Sequence, residues 1–130
     1  MTLGLTQLDN ALAVHFRPEP FSKIAHRELE AYPLSTPGIC FNPSCSCSFD
    51  MSRNWSLYCS DACRKVGDAE MRRIGHKAAP ALLAWRMGKY EKEDEALRAL
   101  SRAGRNYVAR LQGEWYRDRM DRVQRSGWSR

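Results

Sequence analysis

Residues 40–47, Cys40-Phe41-Asn42-Pro43-Ser44-Cys45-Ser46-Cys47, and residues 57–65, Leu57-Tyr58-Cys59-Ser60-Asp61-Ala62-Cys63-Arg64-Lys65, hold all five cysteines of this 130-residue chain. Two cysteine clusters separated by a short loop can wrap one tetrahedral zinc ion. Zinc is borderline soft and lowers the pKa of a thiol that binds it, which favours thiolate ligands. Four thiolates close the coordination shell and leave no position for water, so such a site is structural and not catalytic. The expected ligands are Cys40, Cys45, Cys59 and Cys63, with Asn42-Pro43 reversing the chain and Cys63 on the first turn of a following helix. A helix N-terminus offers free N–H groups and a positive dipole end to a thiolate there. Cys47 is then left over, and a competing set exchanges Cys47 for Cys40 or Cys45. Two plainer readings are five ordinary buried thiols and a redox pair at Cys45-Ser46-Cys47. The first suits a tight cluster poorly, and the second lacks an activating base beside it in sequence.

These two segments resemble the small treble-clef zinc fingers of many bacterial and phage proteins. That signature is a cysteine knuckle, a hairpin, then an aromatic residue followed by Cys-Ser-x-x-Cys-Arg. The resemblance covers residues 40–65. It implies a knuckle from Cys40 and Cys45, completed by Cys59 and Cys63 at the start of a helix. Ser46-Cys47 stands where the family usually has a glycine, and the loop between the clusters carries only Arg53 in place of a basic run. Such fingers occur in DNA-binding, RNA-binding and purely protein-binding settings, so the resemblance implies zinc and fold and leaves the partner open.

Outward from the cysteines, helical patterns dominate. Trp55, Leu57 and Tyr58 suit a strand, so a small hairpin is expected between Phe49 and Tyr58, turning at Ser52-Arg53-Asn54. Ser60 or Asp61 is a candidate cap for a helix running from about Ala62 to Ile74 and ending near Gly75. Pro80 suits the first position of another helix, stopped by Gly88. A long helix is expected from about Tyr90 to Arg125. Glu91, Glu93, Asp94 and Glu95 crowd its start, and Arg119, Arg122 and Arg125 its end, the polarity a helix dipole favours. Leu97, Leu100, Gly104, Val108, Leu111 and Trp115 trace its apolar stripe, which shifts beyond Gly113 to Tyr116, Met120 and Val123. On the N-terminal side, Leu5, Leu8 and Leu12 suggest a helix ended by Arg17-Pro18-Glu19-Pro20. Pro20 or Ser22 then opens a short helix carrying Ile24, Leu29 and Tyr32.

The expected fold is mostly α with a small zinc-bound β-hairpin, a treble-clef-like finger embedded in a helical chain. Residues 1–32 form an N-terminal helical segment and 33–39 a linker. Residues 40–75 form the finger, and 76–130 a C-terminal helical hairpin with a long arginine-rich helix.

Charge divides the chain in the same place. Residues 1–65 carry as many acids as bases, so the whole formal charge of +6 lies in residues 66–130. The basic candidates for contact with an anionic partner are Arg64, Lys65, Arg72, Arg73, Arg102 and Arg105. Arginine suits phosphate and carboxylate alike, and Trp115, Tyr116 and Trp128 could stack on bases. The same arginines could instead be solvated or paired with Glu114, Asp118 and Asp121 at helix-neighbour spacings. The primary expectation is a DNA- or RNA-binding protein. The alternative is a small phage or mobile-element protein that binds and modulates a host nucleic-acid-handling complex. Catalysis is not expected: His15, His26 and His76 are scattered, and there is no phosphate-binding loop, dinucleotide glycine pattern or HExxH. No apolar run approaches a membrane span. The N-terminus lacks a basic stretch followed by an apolar core, so a reducing cytoplasm is expected, the host's if the protein is phage-encoded.

Overall fold

The computed structural model describes residues 18–51 and 57–126. The expected helix through Leu5, Leu8 and Leu12, the turn at residues 52–54, Trp55 and Trp128 all lie outside the described residues. The chain divides into two units, Met1–Leu34 and Ser35–Arg130. Within the first, α1 (Phe21–Ile24) and α2 (His26–Ala31) replace the one short helix expected there. They part at Ala25, whose ψ of 32° leaves the helical range, and Pro20 precedes α1 in an extended conformation. His26 Nδ1 lies 3.4 Å from Glu30 across one helical turn.

The second unit is built on two long helices, α3 (Asp61–Met87) and α4 (Glu95–Arg125), packed on one another. The chain is mostly helical. Among the described residues there is no strand, and Ile39 and Ser48 form an isolated antiparallel bridge. No helix among them is long and apolar enough to cross a membrane.

One sequence expectation fails at α3. A helix ending near Gly75 and a second beginning at Pro80 are in fact one helix, with Pro80 inside it. Proline removes an N–H and crowds the preceding turn, at a cost of about 3 kcal/mol in a helix interior. The continuity has a tertiary cause. Glu70, on the N-terminal side of Pro80, binds Trp115 and Arg119 of α4. On the other side, Ser101 Oγ of α4 donates to the Trp85 carbonyl at 2.6 Å. Both halves are thus fastened to the same partner helix.

The close approach of the helices rests on small residues. A Cβ added to Gly104 would meet the Ala81 carbonyl and the Trp85 backbone nitrogen. Ser101 and Gly104 are buried, whereas Leu100, expected in the stripe, is exposed. The packed line therefore runs through Ser101 where the apolar count chose Leu100, because backbone proximity favours a small hydroxyl that can bond the facing carbonyl.

The connection between the helices is built by acids. α3 ends at Gly88, α4 starts at Glu95, later than the expected Tyr90, and the Asp94 side chain accepts from Leu97 N. Glu91 Oε2 accepts from the backbone nitrogens of Glu93 and Asp94. These bonds hold the Glu91 carboxyl below its ordinary range. Of the four acids expected in the first turn, one caps the helix and another shapes the turn before it.

Candidate metal centre and basic surface

Asn42 builds the first half of the centre. Its carbonyl accepts from the backbone nitrogens of Cys45 and Ser46, each at 2.9 Å, closing a tight turn around Pro43. Its side-chain oxygen accepts from Ser44 N at 3.1 Å. Cys40 N donates to the Cys47 carbonyl at 2.8 Å, and Phe41 N to the Leu57 carbonyl at 2.7 Å. The second bond draws the two cysteine segments together. The second half is the start of α3. Ser60 caps it, its hydroxyl accepting from Cys63 N at 3.2 Å, as the sequence leads one to expect.

The Sγ atoms of Cys40, Cys45, Cys59 and Cys63 all lie within 4.8 Å of one another, a group that could hold one metal ion. Cys45 to Cys59 and Cys59 to Cys63 each measure 3.8 Å. A tetrahedron with metal–sulfur bonds of about 2.3 Å has sulfur–sulfur edges of about 3.8 Å. Thiolates in such a shell are commonly supported by N–H donors, and two are present. The Cys59 backbone nitrogen donates to Cys40 Sγ, and Asn42 Nδ2 donates to Cys63 Sγ, both at 3.4 Å. Burial pushes the Cys40 thiol up to about 12, while hydrogen bonding, first with the Cys47 thiol and then with Ser60, Cys40 and Cys63, brings Cys59 down to about 7. Four thiols this close cannot all ionise on their own, and a dication among them would remove that conflict.

Cys47 lies outside this group. It is exposed, with Sγ 3.3 Å from Cys45 Sγ. That separation is shorter than a tetrahedral edge, so Cys45 and Cys47 do not serve the same ion in this geometry. Ser46 between them has a φ of 51°, the left-handed region that favours glycine. Its hydroxyl donates to the Pro43 carbonyl at 2.9 Å, which holds the serine there.

The knuckle is seated on the helices by residues to which the sequence reading gave other roles. Tyr58 lies against Gly67 of α3, where any Cβ would run into the ring, and it packs at a tilt against Phe41, 6.0 Å between centroids. Arg119 of α4 lies over the Phe41 ring at 4.4 Å and donates to the Phe41 carbonyl at 2.8 Å. The same guanidinium binds Glu70, which also accepts from Trp115 Nε1 at 2.8 Å and pairs with Arg122 at 2.8 Å. Burial pushes the Glu70 carboxyl up, but hydrogen bonds from Arg122, Trp115 and Arg119 outweigh it and hold the group at about 2. Beyond Gly113, of the expected Tyr116, Met120 and Val123 the last two are half-buried while Tyr116 is exposed, and Trp115, Arg119 and Arg122 face Glu70. A buried acid on α3, which apolar periodicity does not detect, selects arginines for those positions.

The six basic candidates part into two groups. Arg64 pairs with Asp61 and Asp68, Lys65 with Asp61, and Arg102 with Glu95. Arg72, Arg73 and Arg105 are exposed and have no acid partner among the described residues, and the same holds for Lys77. Lys89, Arg98, Arg102 and Arg105 line a groove of about 420 Å³ beside Trp85 and Glu91. No family model, curated protein or solved structure matches this chain.

Proposed function

We propose that this protein is a non-enzymatic nucleic-acid-binding protein stabilised by one structural zinc ion. Cys40, Cys45, Cys59 and Cys63 would hold the zinc in a treble-clef-like finger at the base of the α3–α4 hairpin. The spacing of the four sulfurs supports a tetrahedral ion, and an all-thiolate shell suits zinc and leaves no open position for catalysis. The observation that carries the binding reading is the group Arg72, Arg73 and Lys77. Three exposed cations lie on one side of α3 with no acid partner among the described residues. Cations not engaged by acids are the ones free to displace counter-ions from a phosphate backbone. Arg105 would add a contact from α4. Arg64, Lys65 and Arg102, already paired, would contribute less.

The test is a salt titration of binding to duplex and single-stranded DNA and to RNA. The logarithm of affinity should fall linearly with the logarithm of salt concentration. Each phosphate contact contributes about 0.7–0.9 to the slope, so Arg72→Ala with Arg73→Ala and Lys77→Ala should flatten it by about 2–3. Arg110→Ala, which removes an arginine paired with Glu114, should change it far less. Absence of binding at low salt would overturn the reading.

A second reading is favoured by one observation. Leu83 and Met87, one turn apart at the end of α3, and Tyr90 in the connection that follows are 67%, 62% and 70% exposed. Such a stripe suits a protein partner, in line with a small phage or mobile-element protein acting on a host nucleic-acid-handling complex. It expects a stoichiometric complex that survives nuclease and is lost on Leu83→Glu with Met87→Glu.

A further inference from the structure

We propose that Cys47 is a redox-modification site, a fifth thiol placed to take Cys45 out of the metal shell as a disulfide when a peroxide is present. The inference rests on the zinc reading above and concerns what the leftover cysteine does.

Three observations carry it. Cys47 is the exposed member of the five cysteines. Its Sγ is 3.3 Å from Cys45 Sγ, closer than the 3.8 Å that separates Cys45 from Cys59. The backbone between the pair is already bent to bring the two thiols together, since Ser46 is held in the left-handed region by its bond to the Pro43 carbonyl. A disulfide needs Cα atoms about 4.4–6.8 Å apart, and a left-handed residue between two cysteines shortens that span relative to extended chain. The reacting atoms are thus neighbours before any oxidant arrives.

Cys45, half-exposed as Cys59 and Cys63 are, is the candidate ligand whose sulfur lies 3.3 Å from that of Cys47, and a thiolate held by zinc would remain a nucleophile. Its sulfur attacks one oxygen of the peroxide, the O–O bond breaks, and Cys45 becomes a sulfenic acid with hydroxide as leaving group for hydrogen peroxide. The Cys47 sulfur then attacks the Cys45 sulfur. The S–S bond forms, the S–O bond breaks, and the departing hydroxide takes the Cys47 proton and leaves as water. Two electrons pass from the two sulfurs to the peroxide. Cys45 no longer has a charge to offer the ion, and the remaining three thiolates hold it less firmly. The disulfide is reversible by thiol exchange. Without Cys47, a sulfenic acid at Cys45 is open to further oxidation to the sulfinic acid, which thiols do not reverse.

The experiment uses the full chain purified under reducing conditions and loaded with zinc. Hydrogen peroxide is added, zinc release is followed with a chromogenic chelator, and cysteine pairing is mapped by mass spectrometry after alkylation. Dithiothreitol and zinc are then returned. Wild type should lose about one zinc per chain, show a Cys45–Cys47 disulfide and regain its zinc on reduction. Cys47→Ser should start with the same zinc content, lose recovery and accumulate sulfinic acid at Cys45. Equal recovery in both proteins, or a disulfide that omits Cys47, would overturn the proposal. Zinc missing from Cys47→Ser before oxidation would also overturn it, by making Cys47 a ligand. Zinc missing from freshly loaded wild type would instead remove the metal reading itself.

Discussion

Removing the Glu70 carboxylate leaves Arg119 and Arg122, neighbours on α4, partly buried without their shared counter-charge. Breaking a buried ion pair from one side costs about 3–5 kcal/mol. Glu70→Gln keeps the size and one acceptor, so a loss of about 2–3 kcal/mol in urea unfolding is expected. The pH dependence has a definite sign. The folded-state carboxyl sits at about 2, below its ordinary value. Its stabilisation is therefore complete above the ordinary carboxylate range and is lost as pH falls toward 2. The difference between wild type and Glu70→Gln should be flat from about pH 8 to pH 5 and shrink below about pH 4.5. None of this is legible from residue types. Trp115 belongs to the apolar stripe in the sequence, but Glu70, Arg119 and Arg122 look like an ordinary helix surface until two helices are laid together. The cysteine centre is the reverse case. Its four cysteines lie within short spacings, so local reading assembles them, while Asn42 as a donor to Cys63 and the left-handed Ser46 emerge only in three dimensions.

Among the helices, glycine has opposite meanings at two positions of α4. Gly104 lies against the backbone of Ala81 and Trp85, so Gly104→Ala should push α3 and α4 apart. Overpacking of this kind costs about 1–3 kcal/mol, more than the gain of about 0.5–1 kcal/mol in helix propensity. Gly113 has nothing within 4 Å of an added Cβ. Gly113→Ala should raise stability by about 0.5–1 kcal/mol. Thermal melts of the two variants should move in opposite directions. The ends of the helices are legible in the sequence where a cap states them, as Ser60 and Gly88 do, whereas Asp94 is hidden as a cap among four neighbouring acids and the start near Tyr90 is read too early. The break expected between Gly75 and Pro80 is not real, because local breakers are read without the partner helix that holds both halves of α3. Sequence spacing likewise prefers Leu100 to Ser101, since periodicity counts apolar residues and does not see backbone contact.

For the second unit as a whole, the cysteine cluster and the helix hairpin share residues. Phe41 follows Cys40 of the cluster and seats Arg119, while Cys63 lies on α3 itself. If the cluster holds zinc as proposed, removing the ion with a chelator should therefore weaken the hairpin and not only the knuckle. The check is hydrogen exchange, with faster amide exchange expected around Glu70 and Arg119 and a smaller change near Ser101 and Gly104. Cys59→Ser should give the same pattern without chelator. The contact between Arg119 and the Phe41 carbonyl spans 78 positions of chain, and this sets an order of events during synthesis. The thiols can gather once residue 63 has left the ribosome. The arginine that sits on Phe41 follows at about 5–20 residues per second, a delay of about 3–11 seconds. For that interval the nascent cysteine turn presents its aromatic face bare, so a chain stalled within α4 would expose a gathered but unclasped intermediate to chaperones and proteases.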